Sequence, residues 1–224
     1  MPPSSDYLPL LKKAGLVLVV VGLLDLGLMI YAIASQVSYS SSLNFFAVVA
    51  GVFLLRGNLR AASAVRWLAL FFFAALVSVS VVSPFLLPLG LLATYVQVNP
   101  LAFMGSLVVF AAALLLLGWQ AKQLSAEPIK AARLAAGRKE RDARIPLLLG
   151  VGLAVVLAGV NFTVQRSDSA ARAVSEARAQ LGADYEFHVS SINYRTSSEG
   201  KVVSGVVTAW KSGVIKDMRF QWRE

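Results

Sequence analysis

The chain has 224 residues, of which 57% are hydrophobic and only 15% charged, with a mean hydropathy of +0.68; an ordinary soluble domain carries about 25% charged residues. With no cysteine, a disulfide scaffold, thiolate chemistry and a zinc ribbon are all excluded. A net charge of +9 would suit a nucleic-acid binder, but the basic residues are placed differently, as their order along the chain shows.

Apolar residues gather in five stretches, at residues 14–34, 43–55, 67–92, 101–119 and 145–162. A bilayer core about 30 Å thick requires roughly 20 mostly apolar residues per helix. The first, third, fourth and fifth stretches meet that length; the second does so only with its Ser-rich lead-in at 39–42. The fold expected is therefore a mainly α-helical integral membrane protein with about five transmembrane helices. Four of them lie in residues 1–119, a basic loop spans 120–144, and the fifth helix spans 145–163. Lys12 and Lys13, the first apolar run and Ala32-Ile33-Ala34 together imitate a signal peptide with its small-residue cleavage site. The length of that run and Asp25 in its middle argue against cleavage.

Twelve of the 21 basic residues fall on one side of these crossings: Lys12, Lys13, Arg56, Arg60, Arg66, Lys122, Lys130, Arg133, Arg138, Lys139, Arg141 and Arg144. The segments 36–42 and 94–100, which face the other side, hold no charge. This bias predicts a cytoplasmic N-terminus and an extracytoplasmic C-terminus. It also accounts for the basic excess through topology and attraction to anionic lipid rather than to nucleic acid, because the basic loops lack the interleaved aromatics of a nucleic-acid face. Uncharged outer segments, short connections and the absence of organelle signals fit a bacterial inner membrane. Within the basic loop, Pro128 suits a first helical turn and predicts a weakly amphipathic, lipid-surface helix over 128–143.

Residues 164–224 read as a small α-β-β-β domain, one helix on a three-stranded antiparallel sheet. Ser167 or Asp168 caps a helix that ends at Gly182, with Ala170, Val174, Ala177 and Leu181 on one stripe. Strands are predicted over 184–195, 201–211 and 214–222. Ser212-Gly213 fits a two-residue hairpin loop. That turn pairs Lys211 with Val214, Val207 with Met218, Gly205 with Phe220 and Val203 with Trp222, and puts the last three pairs on one dry face for the helix to cover. The opposite, wet face carries Thr208, Trp210, Asp217, Arg219 and Arg223. At about 60 residues the domain is small enough to be marginal by itself, so docking to other surfaces is expected.

Three groups of residues are candidate sites. Asp25, with Ser78 and Ser80, is an intramembrane polar site: a carboxylate at mid-bilayer costs about 2.5–3.5 kcal/mol and must find a partner, water or a proton. A hydrogen bond to Ser78, Ser80 or Asn44 is the structural account, and ion or proton coupling the functional one. Gly150, Ala154 and Ala158, like Ala47 and Gly51, are small residues at fourfold spacing, a helix-packing seam. Asp217, Arg219 and Arg223 form a candidate interaction face. Pro84 and Pro88 predict a helix end or kink. His188, the only histidine, shares a strand face with Asp184 and Glu186; a weak metal site is conceivable there, but pairing with Arg219 or Arg223 is the better expectation. No catalytic constellation, metal site or cofactor signature emerges.

The order of elements over the last 60 or so residues, a membrane helix followed by a short helix and an antiparallel sheet, resembles small domains of respiratory-complex assembly factors. Element order alone carries that resemblance, and fold does not carry function. The function expected is that of a non-enzymatic multi-pass membrane protein, an accessory or assembly subunit. Its partners would be the lipid bilayer and another membrane or extracytoplasmic protein, not nucleic acid. The alternative is a small ion- or proton-coupled transporter using Asp25.

Overall fold

The computed structural model describes residues 6–36, 44–138, 141–197 and 200–223. Its elements in order are α1 (Tyr7–Ala34), α2 (Asn44–Leu55), α3 (Leu59–Leu86), α4 (Leu89–Val98), α5 (Pro100–Gln123), α6 (Glu127–Ala135), α7 (Arg144–Gln165), α8 (Asp168–Leu181), β1 (Glu186–Ser197), β2 (Gly200–Lys211) and β3 (Val214–Arg223). Four helices, α1, α3, α5 and α7, are long and apolar enough to cross a membrane. They leave large apolar side chains uncovered, among them Phe85 at 86% and Leu101 at 89% exposure, which is compatible with a lipid surrounding.

Among the described residues, four helices rather than the expected five are thus long and apolar enough to span. At 1.5 Å per residue, the 12 residues of α2 rise only about 18 Å, well short of the bilayer core. The lead-in at 39–42 on which a fifth span depended lies outside the described residues. The third stretch is also divided. Pro84 stays inside α3, but the helix stops at Leu86, and α4 starts after Pro88. Residues 94–98, expected in a loop, belong to that helix.

The chain forms two compact units, Met1–Ala75 with Ala113–Gly150, and Leu76–Ala112 with Val151–Glu224. In the first, α2 runs antiparallel along α1. The contact is so close that a Cβ added to Gly15 would lie 2.7 Å from the Gly51 carbonyl oxygen, and one added to Gly51 would lie equally near the Gly15 carbonyl. Leu11, Ala14, Leu54, Ala62, Leu124 and Ile129 form the buried cluster of this unit. Ile129 belongs to α6, so this helix has its apolar side, Ile129 with Ala132, in the protein core rather than on lipid. It is also shorter than expected. Gly137, at φ +69°, allows the chain to turn, and its amide donates to the Leu134 carbonyl at 2.9 Å.

In the second unit, the Ser167 hydroxyl accepts from the Ala170 amide at 3.2 Å and caps α8. Gly182, at φ +89°, ends it. Ala170, Ala173 and Ala177 are buried against Val189, Val203, Val207, Phe220 and Trp222. The expected stripe is therefore found with Ala173 as its centre and Val174 at its margin, while Leu181 is only half-buried. The sheet order is β1-β2-β3, antiparallel throughout. All four pairs expected from the Ser212-Gly213 turn are present, with Gly213 at φ +72°.

One expectation about this sheet is corrected. The face opposite α8 is not wet throughout, because Thr208 and Trp210 are 2% and 4% exposed. Helix α4 packs on β2 and β3. A Cβ on Gly90 of α4 would lie 3.1 Å from Trp210 Nε1, so the absence of a side chain at residue 90 is what lets the helix settle on the indole.

Candidate functional site

The candidate polar residues divide between the two compact units. Asp25 belongs to the first compact unit, and Ser78 and Ser80 to the second. Ser80 spends its hydroxyl on its own helix, donating to the Leu76 carbonyl at 2.7 Å. Asp25 is half-buried. Its height is set by the α1–α2 pairing. Gly51 stands beside Val19, and moving six residues on along α1 and six back along α2, about 9 Å on each helix, puts Asp25 level with Phe45. The first turn of α2 begins there, where free backbone amides and the positive helix end favour a carboxylate. The Asn44 side chain lies outside the described residues.

The small-residue seam resolves into internal packing at one end. A Cβ on Gly150 would lie 2.4 Å from the Phe71 carbonyl oxygen and 2.9 Å from the Ala74 methyl group. Helices α3 and α7 thus touch backbone to backbone at this point. Ala154 is also buried, Ala158 only half-buried. In the α1–α2 pair, Gly51 has the same use, while Ala47 lines a small apolar cavity described below.

Two of the three residues of the candidate interaction face, Arg219 and Arg223, lie at one end of the sheet. Arg195, Val202 and Arg223 lie in one row across β1, β2 and β3, and Ser191, Val206 and Arg219 in another. Arg195, Arg219 and Arg223 are exposed. Ser191, Asn193, Ser204, Arg219 and Gln221 border an open concavity of about 330 Å³ on this face. Asp217 belongs to a different part of the face. Its carboxylate accepts a 2.6 Å hydrogen bond from Thr208, whose Oγ1 also lies 2.6 Å from Ser190 Oγ. That chain of hydroxyls crosses all three strands and holds the sheet together beside the bulge between Val189 and Ser191.

His188 is buried and turns to α7 rather than to an arginine: its Nε2 lies 3.4 Å from Gln165 Nε2, and the same Gln165 amide donates to the Val189 carbonyl. Burial pushes the His188 imidazole below its ordinary pKa, because desolvation disfavours the charged ring. Among the described residues, no group of three or more His, Asp or Glu could hold a metal ion, so Asp184, Glu186 and His188 do not combine into one.

Two polar features escaped the sequence. Gln120, at 1% exposure, donates from Nε2 to the Ala14 carbonyl at 3.0 Å, while its buried Oε1 has no protein donor. It lines an apolar cavity of about 140 Å³ with Leu18, Phe46, Ala47 and Phe72. The available signal was a glutamine at the junction of an apolar run and a basic loop, which reads as the start of the loop. The second feature is a convergence of arginines around a concavity of about 420 Å³. In the sequence those residues look only like topology signals. No protein-family model, curated protein or solved structure matches the chain.

Proposed function

We propose that this is a non-enzymatic multi-pass protein of a bacterial inner membrane that presents its α8–β1–β2–β3 domain to another protein as an accessory or assembly subunit. The observation that carries this reading is the arginine-bearing sheet face. Arg195, Arg219 and Arg223 share a face that α8 leaves uncovered, and the concavity beside Arg219, bordered by Ser191, Asn193, Ser204 and Gln221, is open rather than an enclosed reaction chamber. A face of this kind suits an acidic protein surface, since charge complementarity steers association.

The orientation proposed has the N-terminus in the cytoplasm and the C-terminal domain outside. Support comes from the first unit, where Leu54 and Leu55 at the end of α2 stand beside Gly15 near the start of α1. Lys13 lies 6.0 Å from the centre of the Trp119 ring, and Gln120 binds Ala14. Lys12, Lys13, Arg56, Arg60 and Lys122 therefore flank one end of these helices, as a positive-inside arrangement requires; because α2 brings the chain back to the end at which α1 began, the three crossings by α3, α5 and α7 then leave the two termini on opposite sides.

The test is crosslinking and mass spectrometry of the full chain purified from native membranes in mild detergent, comparing wild type with Arg219→Glu. A stoichiometric protein partner, lost or weakened at least about tenfold by the charge reversal, is the expected result. Equal recovery of partner by both forms would refute the assignment of this face. The alternative, ion coupling through Asp25, predicts a flux abolished in Asp25→Asn with folding intact. The level of Asp25 beside the first turn of α2 favours instead a part in holding α1 to α2.

A further inference from the structure

Four arginines from three separate parts of the chain converge on one concavity of the first unit. Arg60, Arg133, Arg138 and Arg141 line it together with Ser63 and Ala64, around about 420 Å³. That is within the size of small-ligand pockets, about 300–1,000 Å³. No described Asp or Glu lines it. Guanidinium groups stay charged at any physiological pH, so this lining brings four positive charges to one place.

Each arginine is held by a locally determined backbone. Asn58 caps α3 by accepting from the Arg60 amide at 2.8 Å and the Ala61 amide at 3.3 Å, which fixes the turn bearing Arg60 and Ser63. Arg133 is 4% exposed, on a helix anchored by buried Ile129 and Ala132. The turn at Gly137 brings the Arg138 amide back to donate to the Arg133 carbonyl at 3.0 Å. Asp142 accepts from the Arg144 amide at 2.8 Å at the start of α7, which steadies the residue next to Arg141. Like charges on flexible segments would swing apart, whereas these are presented by a helix start, a helix interior, a helix end and the lead-in to another helix. A site whose donors are positioned before the ligand arrives loses less freedom on binding.

We propose that this concavity is a binding site for a phosphoryl group. Phosphate oxygens match the planar fork of arginine in two-pronged hydrogen bonds, and several arginines can share the oxygens of one tetrahedral anion. Arg60 stands at the polar beginning of α3, whose apolar run follows. A phospholipid headgroup at the membrane surface and a free phosphate can therefore both reach the site. Its cationic lining stands whether or not the C-terminal domain has a protein partner.

The experiment uses the full-length protein in neutral detergent and a phosphate-free buffer, with two probes, phosphatidylglycerol in mixed micelles and inorganic phosphate. Binding is read by native mass spectrometry and by the thermal unfolding midpoint. The double variant Arg60→Gln/Arg141→Gln removes two exposed charges and leaves the buried Arg133 in place. A control, Lys12→Gln/Lys13→Gln, removes the same charge elsewhere in the unit. Saturable binding that weakens about tenfold or more in the arginine pair and no more than about twofold in the lysine pair is the expected result. If phosphatidylglycerol is retained and inorganic phosphate is not, the ligand is a lipid headgroup. Saturable, arginine-dependent binding of inorganic phosphate assigns a free phosphate. Binding of neither probe, or equal weakening by the two pairs, would overturn the proposal.

Discussion

Both the α3–α7 contact and the α8–sheet contact are built on small helix residues, yet for opposite reasons. At the first, Gly150 meets the backbone of Phe71 and Ala75 and the methyl of Ala74, small against small. In a lipid surrounding, burying a large apolar side chain gains little over leaving it in the tails, so close backbone approach is what holds helices together. At the second, Ala170, Ala173 and Ala177 accommodate Phe220, Trp222, Val203 and Val207, small against large. Water drives that contact, and the alanines serve to let bulky sheet residues lose their exposed area. The same residue type thus marks close approach in one place and a receptacle in the other.

The sharpest way to break this contrast is to truncate the large partner. Trp222→Ala is expected to destabilise the C-terminal domain by about 3–5 kcal/mol, measured as lost hydrogen-exchange protection in α8 and β2 of the full chain. Protection equal to wild type would show that the sheet does not depend on this core. Next in size is the glycine contact. Gly150→Ala forces α3 and α7 apart and should cost about 1–3 kcal/mol, whereas Gly152→Ala, whose Cβ would meet nothing within 4 Å, should be neutral or stabilising by up to about 1 kcal/mol. Thermal unfolding in detergent distinguishes them, and equal midpoints would mean that the helices do not touch at Gly150.

The smallest effect belongs to His188. Its folded pKa lies below the unfolded value of 6.5, so the unfolded chain takes up a proton first as pH falls. The contribution is complete above the unfolded value and declines as pH drops through it toward the folded value. His188→Gln should flatten that part of the stability–pH curve, and an unchanged slope in the variant would assign it to other groups.

Much of the C-terminal domain was legible because its signals are local. A turn at Ser212-Gly213 sets the β2–β3 register, since the side-chain period of two leaves no freedom once the loop length is chosen. Ser167 and Gly182 bound α8 by their own backbone chemistry. The candidate site was only partly legible. Arg219 and Arg223 could be placed on one face by parity, but the separation of Asp217, held by Thr208, depends on a side-chain chain across three strands. His188 was assigned a partner on its own sheet because nothing in the sequence brings Gln165 to it.

By itself the sequence determined the apolar stretches, the clustering of basic residues in alternate connections between them, and the helix and hairpin of the C-terminal domain. All of these follow from composition, period and turn chemistry acting over a few residues. Tertiary structure alone decided that α2 doubles back as a short helix on Gly15, and that α4 leaves the third stretch to cover Trp210. It also decided that Gln120 is buried against Ala14, and that Arg60, Arg133, Arg138 and Arg141 face one concavity. Each of these joins residues far apart in the chain. Periodicity shows which side of an element is apolar, but which distant surface closes over it depends on shapes that exist only once the chain has packed.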